Sequence, residues 1–179
     1  GAALIFPVQA FDAKQTLDAL ATERFTALYG VPTMFVAMLQ ELTDASRDLS
    51  ALRTGVMAGA PCPVDVMKQV NDQIHMNEVT ICYGMTETSP VSFQSFVDDT
   101  TQQRCETVGR VHPHLEVKIV DESGQIVPVG VQGELCTRGY SVMKGYWEEA
   151  TRTSDAIRDG WMHSGDLAVL EIDGFCSVT

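Results

Sequence analysis

The chain has no run of apolar residues approaching the roughly 18 that a membrane-spanning helix needs. No basic stretch followed by an apolar one opens it, so no signal peptide is read; the first residue is Gly1, which leaves a leader upstream open. Positive charge is scarce. Twelve Lys and Arg stand against 24 Asp and Glu, for a net charge of −12. That balance excludes a nucleic-acid backbone or an anionic membrane as a general partner, and any phosphate ligand must be held by local devices. The five cysteines, Cys62, Cys82, Cys105, Cys136 and Cys176, form no CxxC pair. Their spacing argues against a zinc site or a disulfide framework and for buried thiols in a reducing compartment. A cytoplasmic location is the expectation, with an organelle left open. There is no GxxxxGKS/T phosphate loop, no GxSxG elbow, and no GxGxxG after a candidate strand. His75, His112, His114 and His163 lie in no metal-binding or nucleophilic spacing and read as structural or surface residues.

What is present is an ordinary globular composition. The 179 residues are 45% apolar and 20% charged, enough for a real core in one domain or two small ones. No repeat or low-complexity tract interrupts them. The first hundred residues alternate short apolar runs with helical patterns. Strands are expected at Ala3–Phe6, Thr26–Tyr29, Thr54–Ala58 and Val79–Tyr83. Helices are expected after an Asp12 N-cap, from Pro32 with Phe35, Met38, Leu39 and Leu42 at apolar spacing, and over Val64–Ile74. Such alternation predicts βα units in a mostly parallel sheet.

The pattern changes after about Thr101. Gly109, Gly124, Gly130, Gly133, Gly139 and Gly145 punctuate short β-like runs, among them Leu115–Val120, Glu134–Thr137 and Leu167–Ile172. The expected fold is therefore α/β: a parallel-sheet βα subdomain over 1–103, then a small antiparallel, distorted-barrel subdomain over 104–179. One short helix is expected near Glu148–Ile157. The polar stretch within 98–106 marks the boundary. Both ends, Ala3–Phe6 and Gly174–Thr179, read as strands cut from a larger fold.

Three segments carry candidate chemistry, since open α/β sheets bind ligands at the carboxyl ends of their strands. Gly59-Ala60-Pro61 follows the third expected strand, and Tyr83-Gly84-Met85-Thr86-Glu87 the fourth. Gly84 allows close backbone approach and Tyr83 offers a flat face. Thr86 supplies a hydroxyl donor, and Glu87 a hard oxygen ligand suited to Mg²⁺. The third segment is Trp161–Asp166, whose Asp166 at a turn could accept from both hydroxyls of a ribose. Each has a plainer reading when taken alone. Thr86-Glu87 reads as a turn or helix start, Asp166 as a turn former, and Tyr83 as a partly buried core residue.

Read together, the segments resemble the adenylate-forming superfamily of acyl-CoA synthetases, beetle luciferases and peptide-synthetase adenylation domains. Residues 83–87 are similar to its YGxTE motif. Gly133–Gly139 with Met143–Trp147 is similar to its GELxxRGxxxMxGYW segment, and Trp161–Asp166 to its WxxS/TGD segment. Val31-Pro32-Thr33 and Gly59-Ala60-Pro61 fall where the family has similar residues, and the order holds from end to end. The resemblance implies that Gly59, Ala60 and Pro61 line the adenine pocket, with the ring against Tyr83. It implies that Thr86 binds the α-phosphate region, that Glu87 ligates Mg²⁺, and that Asp166 holds the ribose. Gly84 and Met85 would border the acyl pocket.

The implied reaction activates a carboxylic acid with ATP as acyl-AMP and transfers the acyl group to coenzyme A. The chain resembles a fragment of the large N-terminal domain, most similar to medium- and long-chain fatty acyl-CoA synthetases of lipid metabolism. The family's phosphate loop would lie before Gly1, and its C-terminal domain, with the catalytic Lys, after Thr179. Without them the fragment is expected to be inactive. Its partners would be a small carboxylic acid, ATP, coenzyme A and that C-terminal domain. The alternatives are an aryl-CoA ligase, an amino-acid adenylation domain, or a non-catalytic nucleotide-binding module.

Overall fold

The computed structural model describes residues 2–7, 9–42 and 47–179. The chain divides into two compact units, Gly1–Thr80 and Ile81–Thr179. The polar stretch expected to separate the subdomains holds structure of its own. Thr101–Glu106 is a short helix, α4, capped reciprocally: Thr100 N donates to Gln103 Oε1 (3.0 Å) and Gln103 N to Thr100 Oγ1 (3.2 Å).

Local signals place the elements of the first unit. Helix α1 (Ala13–Glu23) starts where Asp12 Oδ1 accepts from Gln15 N at 2.8 Å, which satisfies a donor that the first turn leaves orphaned. Helix α2 (Pro32–Glu41) starts on Pro32, whose fixed φ and missing N–H suit the first helical position. Helix α3 (Val64–Ile74) buries Met67, Val70 and Ile74 from one face. Strands β1 (Ala27–Gly30) and β2 (Thr54–Ala58) pair in parallel, with Tyr29 opposite Val56, as βα alternation requires. Leu17, Phe35, Met38, Met57 and Val79 are fully buried in this unit. Ala3–Phe6, expected as a strand, has no strand assignment. Leu4 and Phe6 are exposed, and the segment lines an apolar cavity of about 560 Å³ with Phe11, Leu20 and Leu28. A strand requires a ladder partner, and among the described residues these have none.

Strand β3 (Glu78–Gly84) crosses the divide between the units. In the second unit its end pairs antiparallel with β4 (Val91–Gln94), Tyr83 opposite Phe93, and β4 pairs with β5 (Arg110–Val111). No strand is expected from the sequence at β4 or β5, which are only four and two residues long. A second, antiparallel sheet follows: β6 (Leu115–Val120), β7 (Gly133–Gly139), β9 (Trp161–Leu170) and β10 (Cys176–Val178) in the order β10-β9-β7-β6. The two-residue β8 (Ile157–Arg158) also pairs with β9, and α5 (Ala150–Ala156) precedes it. The predicted α/β character and the antiparallel second sheet are both present. Phe93, Ile119, Leu135, Ala168 and Cys176 form the core of this unit, with Tyr83 packed at its margin. Burying Phe93, Ile119 or Leu135 contributes about 2 kcal/mol apiece, so this cluster outweighs any single surface hydrogen bond.

Candidate functional site

The end of β3 and the turn after it carry the first group of side chains. Gly84 pairs with Val91 where the ladder shifts register. A Cβ at Gly84 would lie within 2.9 Å of Val91 Cα and inside the radius of Pro90 O. The glycine is therefore demanded by the chain's own return strand, and not only by the close approach of a ligand that the sequence suggests. Thr86–Thr88 then forms a single 3-10 turn. Buried Thr88, not noticed in the sequence, closes it: its Oγ1 receives Met85 N at 3.2 Å and lies 3.2 Å from Pro90 O. Thr86 is left exposed, with its hydroxyl unpaired among the described residues, while Glu87 and Met85 are half-buried.

Asp166 lies in a strand, not in the turn expected of it. Cys136 pairs with His163 and Glu134 with Leu167, so Ser164, Gly165 and Asp166 together oppose Leu135. This is a β-bulge, the device by which strands re-aim a side chain. Ser164 Oγ donates to Leu135 O at 2.7 Å, and Asp166 N donates to Ser164 Oγ at 3.1 Å. Gly165 sits at φ 76°. The bulge leaves Asp166 exposed, where Tyr83 Oη donates to its Oδ2 at 2.5 Å. The other oxygen, Oδ1, takes no hydrogen bond among the described residues. Burial first, and then the bond to Asp166, push the Tyr83 phenol above its ordinary range. Its ring meets Phe93 edge-on at 6.3 Å.

Behind the bulge, Glu134 Oε2 lies 2.7 Å from His163 Nδ1, and Glu134 Oε1 accepts from Gly165 N at 3.1 Å. Cys136 Sγ lies 3.4 Å from the same His163 nitrogen. The three ligand-type atoms fall within 4.8 Å of one another, although cysteine and histidine spacing had shown no such group. Strand alternation puts Glu134 and Cys136 on one face and register brings His163 opposite, so the trio is a cross-strand feature. It fastens both flanks of Ser164 and so holds the bulge. Burial, and next the Glu134 charge, push the Cys136 thiol up to about 11, so it is protonated at neutral pH.

Glu87 has a partner that the sequence did not indicate. Tyr146 Oη donates to Glu87 Oε1 at 2.7 Å, and Met143 N donates to Glu87 O at 2.8 Å. The carboxylate keeps Oε2 without a hydrogen bond among the described residues. The open carboxylate oxygen of half-buried Glu87 and the unpaired hydroxyl of Thr86, neighbours in one 3-10 turn, are each hard donors of the kind that suits Mg²⁺. Of the residues singled out in the sequence, Tyr83, Gly84, Met85, Thr86, Glu87 and Asp166 thus lie in the second unit. Gly59, Ala60 and Pro61 lie in the first, exposed, directly after β2.

Comparison with known proteins gives a consistent answer. A putative acyl-CoA synthetase of Bacillus subtilis is 52% identical over 181 residues, covering 100% of this chain and 33% of that protein. The mitochondrial medium-chain acyl-CoA ligase of Bos taurus is 44% identical over 180 residues, covering 99% of this chain and 29% of that protein. The solved structure of an amide bond synthetase from Marinactinospora thermotolerans superposes with a TM-score of 0.85 at 29% identity, covering 96% of this chain and 35% of its own. The chain spans about a third of the length of the curated relatives it matches. The family described as AMP-binding enzyme matches residues 1–147, and the chain belongs to that family of adenylate-forming enzymes.

Proposed function

We propose that the full-length protein is an ATP-dependent acyl-CoA ligase acting on a fatty acid. The acid's carboxylate attacks the α-phosphorus of ATP to give acyl-AMP and release pyrophosphate. The thiol of coenzyme A then attacks the acyl carbonyl and AMP departs. Attack at phosphorus asks the protein mainly for positioning and charge neutralisation.

The observation that carries this reading is the pairing of Tyr83 with Asp166, beside the Thr86–Glu87 turn. In the proposal the Tyr83 ring faces the adenine. Asp166, held on one oxygen by Tyr83, offers the other to the ribose hydroxyls. Thr86 donates to the α-phosphate region, and Glu87 holds Mg²⁺, which supplies charge neutralisation when bound. Gly84 and Met85 border the acyl group. Gly59, Ala60 and Pro61 are assigned to nucleotide binding by the family resemblance alone. The subdomain division near residue 103 and a reducing, cytoplasmic location belong to the same proposal.

The names of two relatives support the coenzyme A acceptor, and that of the bovine ligase supports a fatty substrate of medium length. The amide bond synthetase among the structural neighbours supports a second reading, in which the same adenylate is passed to an amine. The test is ATP–pyrophosphate exchange by the full-length protein with acids from acetate to palmitate, benzoate and several amino acids. The expected result is exchange that peaks with a fatty acid and becomes net AMP release on adding coenzyme A. AMP release driven by an amine and not by coenzyme A selects the second reading. Absence of exchange with every acid, in a protein that binds ATP, overturns both.

A further inference from the structure

The Glu87–Tyr146 contact has no place in the proposed chemistry so far, yet it is built with care. The two residues are 59 apart in sequence. Tyr146 is fixed from several directions. Its backbone N donates to Thr153 Oγ1 at 2.9 Å, and the Arg152 guanidinium stands over its ring at 4.5 Å. Gly145 before it adopts φ 151°, and a Cβ there would meet Thr153 Cγ2 at 2.8 Å. The segment can approach α5 this closely only with glycine at that position. The backbone bond from Met143 to Glu87 O ties the same segment to the 3-10 turn a second time. The phenol is thus held by its own surroundings, and the flexible partner is the Glu87 side chain.

We propose that Tyr146 is a positioning residue for Glu87: its hydroxyl fixes Oε1, so that Oε2 is the oxygen offered to a divalent cation. This rests on the reading of Glu87 as the Mg²⁺ ligand. A glutamate side chain free in water samples many rotamers, and ordering it at the moment of metal binding costs free energy. Tyr146 removes part of that cost beforehand. The opposing effect is withdrawal of electron density from the carboxylate by the hydrogen bond. It acts on Oε1 directly and on Oε2 only through the group, so ordering prevails. Tyr146, unlike a metal ligand, touches neither cation nor substrate in this arrangement.

The test uses the full-length protein with Mn²⁺ as the probe, bound Mn²⁺ being read by electron paramagnetic resonance in the presence of ATP. Tyr146→Phe is expected to weaken Mn²⁺ binding by about five- to tenfold, the range for losing a partly exposed hydrogen bond to a charged group. ATP binding without metal is expected to stay within about twofold, since only the ordering of Glu87 has changed. Unchanged or tighter Mn²⁺ binding in Tyr146→Phe, alongside a large loss in Glu87→Gln, overturns the positioning role and spares the Glu87 reading. Unchanged Mn²⁺ binding in Glu87→Gln overturns both. Should Tyr146→Phe fail to fold, Glu87→Asp keeps the charge but draws the carboxylate back from Tyr146. It is expected to weaken Mn²⁺ binding as well, and unchanged binding there counts against the proposal.

Discussion

Replacing Tyr83 with Phe removes one oxygen and leaves the ring, so it isolates the bond to Asp166. A hydrogen bond to a charged partner contributes about 1.5–3 kcal/mol. Asp166 is exposed, and water can refill Oδ2 in the variant, which lowers the expected loss to about 1 kcal/mol. The ring keeps its contact with Phe93 and its place beside the Ile119–Leu135 core. Tyr83→Ala adds the loss of that packing, for a total of about 4 kcal/mol. The assay is urea unfolding of the chain, followed by fluorescence of Trp147 and Trp161. With a slope of about 2 kcal/mol/M, the Phe variant should lower the midpoint by about 0.5 M. The pH dependence adds a second reading. Burial and Asp166 raise the Tyr83 pKa in the folded state, so its contribution is fully present below the unfolded value of 10.0 and is lost as pH rises beyond it. Tyr83→Phe should therefore show a shallower alkaline limb. If Asp166 holds the ribose as proposed, the KM for ATP of the full-length Tyr83→Phe variant should rise about fivefold, equivalent to roughly 1 kcal/mol in nucleotide binding. A Phe variant with the parent's midpoint and alkaline limb, next to a destabilised Ala variant, would show that the hydroxyl contributes nothing and the ring everything.

Gly84→Ala should cost about 3 kcal/mol by forcing Pro90 and Val91 away from β3, and calorimetry against the parent checks it. Glu134 is pushed up by burial but lowered further by His163 and Gly165 N, for a net depressed pKa. Its stabilisation is present above the ordinary 4.5 and is lost as pH falls through the lower folded value, so Glu134→Gln should flatten the acid limb of a pH–stability curve. The 179-residue chain by itself should show no saturable micromolar ATP binding by calorimetry. It spans about a third of its relatives, and on the proposed reading charge contacts from the rest of the protein help hold the nucleotide, each worth about 4 kcal/mol at 4 Å near an effective dielectric of 20.

The elements legible in the sequence are those whose signals lie within a few residues. Asp12 caps α1, Pro32 opens α2, and the apolar stripe of Val64–Ile74 delimits α3 because helix hydrogen bonds and capping are local. The alternating run Leu115–Val120 likewise gives β6 its full extent. The motif residues Tyr83, Thr86, Glu87 and Asp166 were also visible, as residue types in order. Their partners were not. Tyr83 meets Asp166 across 83 positions, Glu87 meets Tyr146 across 59, and Glu134 meets His163 across 29. Strand pairing and bulge position decide those meetings, and neither leaves a periodic trace in the chain. The same reason explains Ala3–Phe6, whose apolar pattern resembles a strand but has no strand to pair with among the described residues. Local chemistry thus determined which side chains were available. The ladder between distant strands decided which of them share a hydrogen bond, because a sheet satisfies its backbone only through residues far away in sequence.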